Sequence, residues 1–146
     1  MGQGDGQEVE WLDALVDLVR DIHGWMLQIG GGAPGEHAAS LYSACARPFQ
    51  SAFGENIYVT AYERAAAILH AIVCDHVFVD GNKRTGTAAA MVFLYAEDVP
   101  ISDPQEALRL ALLGQVTLEA ASGSLTVDQV TFWVRRIFEP IPGDSP

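Results

Sequence analysis

The chain has 146 residues, 49% of them hydrophobic, and carries 19 Asp and Glu against 8 Lys and Arg, a formal net charge of −11. That length and apolar content suit one domain around one sizeable core. The acidic balance argues against a nucleic-acid surface, which needs clustered Lys and Arg, and no apolar run is long enough to span a bilayer. Cys45 and Cys74 fit reduced thiols of a cytoplasmic protein better than a disulfide framework. No Cys/His spacing of a metal-ligand set appears, and the Met1-Gly2-Gln3-Gly4 start lacks the basic and apolar regions of a secretory signal.

In chain order the pattern is almost entirely helical, which makes the fold class all-α. Residues 1–9 read as a short flexible tail, 10–139 as one domain and 140–146 as a C-terminal tail. Leu12, Leu15, Val16, Val19, Ile22, Trp25, Met26 and Ile29 mark one buried face of a helix that should stop at Gly30-Gly31-Gly32. A short helix follows over 38–46, ended before Pro48. Gly54-Glu55-Asn56-Ile57-Tyr58-Val59 alone has extended character. Thr60 then opens a helix with Glu63 at capping-box spacing and Ala65, Ile68, Leu69, Ile72 and Val73 on its inner face.

The helix after Gly81, through Ala88-Ala89-Ala90-Met91-Val92-Phe93-Leu94, is apolar all round and should be central and most buried. Asp103 is positioned to cap a fifth helix with Pro104 first and Glu106 third. Thr126 with Gln129 starts the last, which turns Val127, Val130, Trp133, Val134, Ile137 and Phe138 inward. Core packing accounts for Trp11, Trp25 and Trp133, helix polarity for His23 and His70, and a salt bridge for Arg64. No repeat or linker divides the chain.

Function concentrates in His76-Val77-Phe78-Val79-Asp80-Gly81-Asn82-Lys83-Arg84, which holds the chain's single lysine. Gly81 allows a tight turn that brings the amides of Asn82, Lys83 and Arg84 to the first turn of a helix, where unpaired N–H groups and the helix dipole favour an anion. Lys83 adds a point charge and Arg84 a planar fork, a pair suited to a polyphosphate. Asp80 would repel a bare phosphate but can hold Mg²⁺, which prefers one or two carboxylates plus phosphate oxygens. His76 can take a proton from an attacking hydroxyl. The set reads as phosphoryl or nucleotidyl transfer, driven by positioning and charge neutralisation.

The run resembles the Fic/Doc superfamily signature His-x-Phe-x-(Asp/Glu)-(Gly/Ala)-Asn-(Gly/Lys)-Arg, most closely the Doc branch. The resemblance extends through Gly30-Gly31-Gly32, Ser43-Ala44-Cys45-Ala46-Arg47-Pro48 and Tyr58 to the helix carrying Phe93 and Leu94. It implies a single-domain helical bundle with His76 as general base, Asp80 as the Mg²⁺ ligand, and Asn82, Lys83 and Arg84, with Gly81, around the phosphates of ATP. Lys83 and Thr87 stand where AMP-transferring Fic enzymes usually carry a second glycine and a second arginine. Both departures mark Doc toxins, which transfer the γ-phosphate to a threonine of elongation factor Tu. Gly81, by contrast, matches the Fic pattern and keeps AMP transfer as the alternative, beside a silent interaction module.

The resemblance also implies a flap around Ile57 and Tyr58 that positions a protein substrate by strand addition, and an antitoxin segment that folds into a groove of the toxin. Ser51-Ala52-Phe53-Gly54-Glu55-Asn56 fits the degenerate string of a self-inhibitory Fic helix. Gly54 opposes a helix there, and the match reads as accidental.

Overall fold

Apolar periodicity in the first segment produces α1, Gly2–Gly30, in a computed structural model that describes residues 2–101 and 104–140, with side chains from residue 10 onward. Val16, Val19 and Ile22 face inward as the spacing predicts. Helical backbone begins at Gly2, ahead of the stripe that opens at Leu12: no proline interrupts the preceding residues, and extending a helix costs less than nucleating one. It ends at the glycines, where Gly31 adopts φ 76° and its N–H reaches the Leu27 carbonyl at 2.7 Å. Near that end the buried face departs from expectation. Trp25 and Ile29 are 53% and 80% exposed, because His23 is buried in the stripe and Met26 and Leu27 are half-buried beside it.

The short α2, Ala38–Ala46, runs into a 3-10 turn, Arg47–Phe49, then into two strands, β1 (Ser51–Ala52) and β2 (Glu55–Asn56). These pair antiparallel, Ser51 opposite Asn56 and Ala52 opposite Glu55. Phe53 and Gly54 both have positive φ, 54° and 80°, the geometry of a type I′ turn. The string that resembles a self-inhibitory helix is therefore a hairpin.

Two helices form the centre. α3, Ala61–Cys74, is capped by Thr60, whose hydroxyl accepts from Glu63 N–H at 3.2 Å. It buries Ala65, Ala66, Ala67, Ile68, Leu69, Ala71, Ile72 and Val73. Alongside lies α4, Asn82–Ala96, the central helix that the motif should precede, burying Thr85, Gly86, Ala89, Ala90, Phe93 and Leu94. Burial is more complete in α3, whose alanines admit close neighbours on several sides. The α3/α4 crossing is tight at Gly86, where an added Cβ would lie 3.1 Å from Val73 Cγ1.

The remaining helices, α5 (Glu106–Ala121) and α6 (Val127–Phe138), pack on α3 and on each other, and α5 also meets α4. α5 starts at Glu106, two residues after the expected Pro104, which lies in a turn; Asp103 lies outside the described residues, as do 141–146. α6 has the full Thr126/Gln129 capping box. It buries Val130, Val134 and Phe138, but Trp133 is 43% exposed and Trp11, set edge-on against Phe49, is 46% exposed, so neither is the core residue that its stripe suggests. Among the described residues no helix is long and apolar enough to cross a membrane.

Candidate functional site

Between α3 and α4 the chain passes through residues 75–81, and the glycine loop after α1 shapes this segment. His37 N–H donates to Val77 O at 2.8 Å, Val79 N–H donates to Gly35 O at 3.0 Å, and Glu36 bridges Phe78. Gly35 is needed there: at φ 131°, any Cβ would fall 2.8 Å from Val79 Cγ2. Arg20 fixes the same loop to α1 through two bonds to Glu36, 2.7 and 2.8 Å, which hold the Glu36 carboxyl below its usual range.

Val77 and Phe78 are buried and anchor the segment, while His76 stands exposed at φ 48°, a left-handed conformation costly for a side-chain-bearing residue. Asn82 closes the turn. Its Oδ1 accepts from Phe78 N–H at 2.9 Å and its Nδ2 donates to Phe78 O at 2.8 Å. One Oδ1 lone pair and one Nδ2 hydrogen are thus used on loop shape, which leaves the second Nδ2 hydrogen and the backbone N–H for an anion. Gly81 takes φ 82°, and the first bond of α4 runs from Thr85 N–H to Gly81 O at 3.0 Å. The N–H groups before Thr85 are the orphan donors of a helix start.

Asp80 carries two backbone bonds: Ala33 N–H to Oδ2 at 3.2 Å and Gly81 N–H to Oδ1 at 2.9 Å. These donors, then the charge of Arg84, hold its carboxyl below the usual range. An ionised carboxylate with lone pairs to spare can take a hard cation. Among the described residues no group of three or more His, Cys, Asp or Glu could share a metal. The oxygen chemistry of the Asp80 carboxylate fits a hard cation such as Mg²⁺, for which Asp80 would be the protein ligand.

Arg84 reaches back to the end of α1, donating from Nη1 to Met26 O and from Nη2 to Gly31 O at 2.7 Å. Gly30 makes room for it. Lys83 is exposed and forms no ion pair among the described residues. Of the two motif cations it is the one left to face solvent.

His76, Asp80, Gly81, Asn82, Lys83 and Arg84 together line a cleft of about 590 Å³, walled on its other sides by Val73, Val79, Leu118 and Ala121. Ile57 and Tyr58 are not among its lining residues. They follow the hairpin, where Arg64 ties the Tyr58 and Val59 carbonyls at 3.1 and 2.8 Å and pairs with Glu97. The salt bridge expected of Arg64 is present, between helices. His70 is a helix position whose Nε2 faces Leu125 O at 3.1 Å. Burial pushes the Cys45 thiol up to about 12, and both cysteines are free. His23 is the residue that sequence reasoning missed: its Nε2 lies 2.7 Å from Asp80 O. Its register, which continues the stripe of Val16 and Val19, could have indicated burial but not the partner.

An all-α domain presenting this motif at the mouth of a buried helix has the architecture of the Fic/Doc superfamily. The chain belongs to the Fic/DOC family, whose model matches residues 11–94. It is 40% identical over 62 residues to Toxin Doc of Mycolicibacterium smegmatis, covering 42% of this chain and 48% of that protein, so about half of that relative. It is 30% identical over 108 residues to Protein kinase doc of Escherichia phage P1, covering 74% of this chain and 81% of that one. Both relatives support a Doc-type member of the family.

Proposed function

We propose that the protein is a Doc-like toxin that transfers the γ-phosphate of ATP to a hydroxyl of a protein, a threonine of elongation factor Tu being the substrate to test first. The observation that carries this reading is the single cleft that gathers His76, Asp80, Lys83 and the opening turn of α4. His76 receives the acceptor's proton as the hydroxyl oxygen attacks phosphorus and the bond to the departing nucleoside diphosphate breaks. The α4 amides and Lys83 stabilise the negative charge that the donor brings. Asp80 would hold Mg²⁺, which would supply positive charge to offset that of the donor's phosphates. Asn82 and Arg84 fix the loop through the bonds described above, and their remaining N–H groups would hold the donor's phosphates. The name of the mycobacterial relative supports the toxin reading, and that of the phage protein supports the kinase assignment.

Ile57 and Tyr58, at the base of the exposed hairpin, would present the substrate chain beside the cleft. Restraint would come from an antitoxin segment made in the same cytoplasm, which orders on binding and is readily lost again. Lys83, in place of a second glycine, favours the γ-phosphate over AMP transfer. Intact-mass analysis of elongation factor Tu after incubation with the protein, Mg²⁺ and ATP tests this directly. A phosphate-sized addition that His76→Ala abolishes is expected. An adenylyl-sized addition would replace the kinase reading with nucleotidyl transfer, and a modification that survives His76→Ala would remove His76 as the base.

A further inference from the structure

We infer that His23 is a positioning residue for the motif loop, holding the Asp80–Gly81 peptide in the orientation that the cleft requires. This deepens the reading above and rests on it for the link to phosphate transfer. The ring is 6% exposed and sits in the apolar stripe of α1, where burying a polar group costs free energy unless it is hydrogen-bonded. Its partner is a single backbone atom, Asp80 O, at 2.7 Å from Nε2. A carbonyl accepts, so Nε2 carries the hydrogen.

Two further contacts fix the ring. It stacks on Phe78 with centroids 3.8 Å apart and planes within 5°. Its edge, beside Leu27, also walls Gly81: a Cβ there would stand 3.3 Å from Leu27 Cδ2, 3.4 Å from His23 Cδ2 and 3.5 Å from Nε2. The imidazole thus touches Phe78, Asp80 and Gly81 and sets their arrangement from behind.

The consequence follows from peptide planarity. In a trans peptide the carbonyl and the next N–H point in opposite directions. With Asp80 O drawn toward α1 by His23, Gly81 N–H is aimed away from α1, where it meets Asp80 Oδ1 at 2.9 Å. One donor on α1 therefore orients both the Asp80 carboxylate and the entry to α4. This is the relation of an outer-shell residue to a metal or phosphate ligand.

Two substitutions separate the donor from the ring. His23→Gln places an amide donor near the position of Nε2 but loses the stack on Phe78. His23→Phe keeps the stack and loses the donor. The measurements are the Gly81, Asn82 and Lys83 amide resonances of the nucleotide-free protein, and Mg·ATP affinity by calorimetry. His23→Phe is expected to remain folded, move those resonances and weaken Mg·ATP by roughly tenfold to a hundredfold, with His23→Gln close to wild type in both. A folded His23→Phe with unmoved loop resonances overturns the inference, as does equal damage from His23→Gln. If wild type binds no Mg·ATP while the resonances move only in His23→Phe, the positioning role holds and the phosphate-donor reading falls.

Discussion

Replacing Gly30 with alanine forces a choice on Arg84. The new Cβ would sit 2.2 Å from Nη1 and 3.0 Å from Cζ, so the guanidinium must leave the carbonyls of Met26 and Gly31. A flexible side chain can swing away, and the cost is then the lost hydrogen bonds and not a crushed backbone. Bonds from a charged donor contribute about 1.5–3 kcal/mol each, with exposed ones weaker. Since Gly31 O is exposed, about 2 kcal/mol for the pair is reasonable. Alanine returns at most about 1 kcal/mol of helix propensity.

Gly24 supplies the control, because it lies in the same helix with nothing within 4 Å of an added Cβ. Gly24→Ala should stabilise by about 0.5–1 kcal/mol, and Gly30→Ala should fall about 2 kcal/mol below it, a gap of roughly 5 °C or more in melting temperature. Urea denaturation measures both. In an Arg84→Ala background the clash is gone, and Gly30→Ala should cease to be costly, a coupling visible in a double-mutant cycle. If Gly30→Ala is as stabilising as Gly24→Ala with Arg84 intact, the contact between Arg84 and the end of α1 does not hold the loop.

Two other perturbations probe the loop from its other sides. Glu36 is held below its usual range by Arg20, so its contribution is present above the unfolded carboxylate pKa and disappears as pH falls through the lower folded value. The stability gap between wild type and Glu36→Gln, about 1 kcal/mol for a bidentate and partly exposed pair, should therefore persist at pH 7 and close below about pH 4; a gap unchanged at pH 3 would contradict the assignment. At His76, φ 48° is a conformation that glycine adopts without strain. His76→Gly should raise stability by about 1 kcal/mol while abolishing transfer, and a lowered melting temperature would show that the imidazole holds the fold.

What could be read from the chain alone was whatever is local in it. The order His76 to Arg84 places the ionisable groups within a few residues, and helix phase sends Ala65, Ile68, Leu69, Ile72 and Val73 to the core whatever lies opposite. Contacts that span the chain escaped that reading. His23 meets Asp80 across a sequence separation of 57 residues, and nothing in a helix stripe distinguishes a histidine with such a partner from one facing water. Asn82 and Arg84 were legible as members of the site, but not the direction of their side chains, which depends on backbone groups that appear only after folding. β1 was overlooked because Phe53-Gly54 lacks the Asn-Gly signature of its turn. Trp25 and Trp133 were placed inside because periodicity gives a face without saying where along a helix the neighbours stop.

The bond of Arg84 to the end of α1 also governs the potential inside the cleft. An α-helix ends in a partial negative charge, set by carbonyls without partners. The end of α1 is joined to the cleft through Arg84, which lines it, so a repulsive pole stands behind the arginine while α4 offers an attractive one. With its guanidinium on Met26 O and Gly31 O, Arg84 screens the first pole and leaves the second to act. An arginine bound to a helix end can in this way lower the cost of an anion beside it, apart from any bond it makes to that anion.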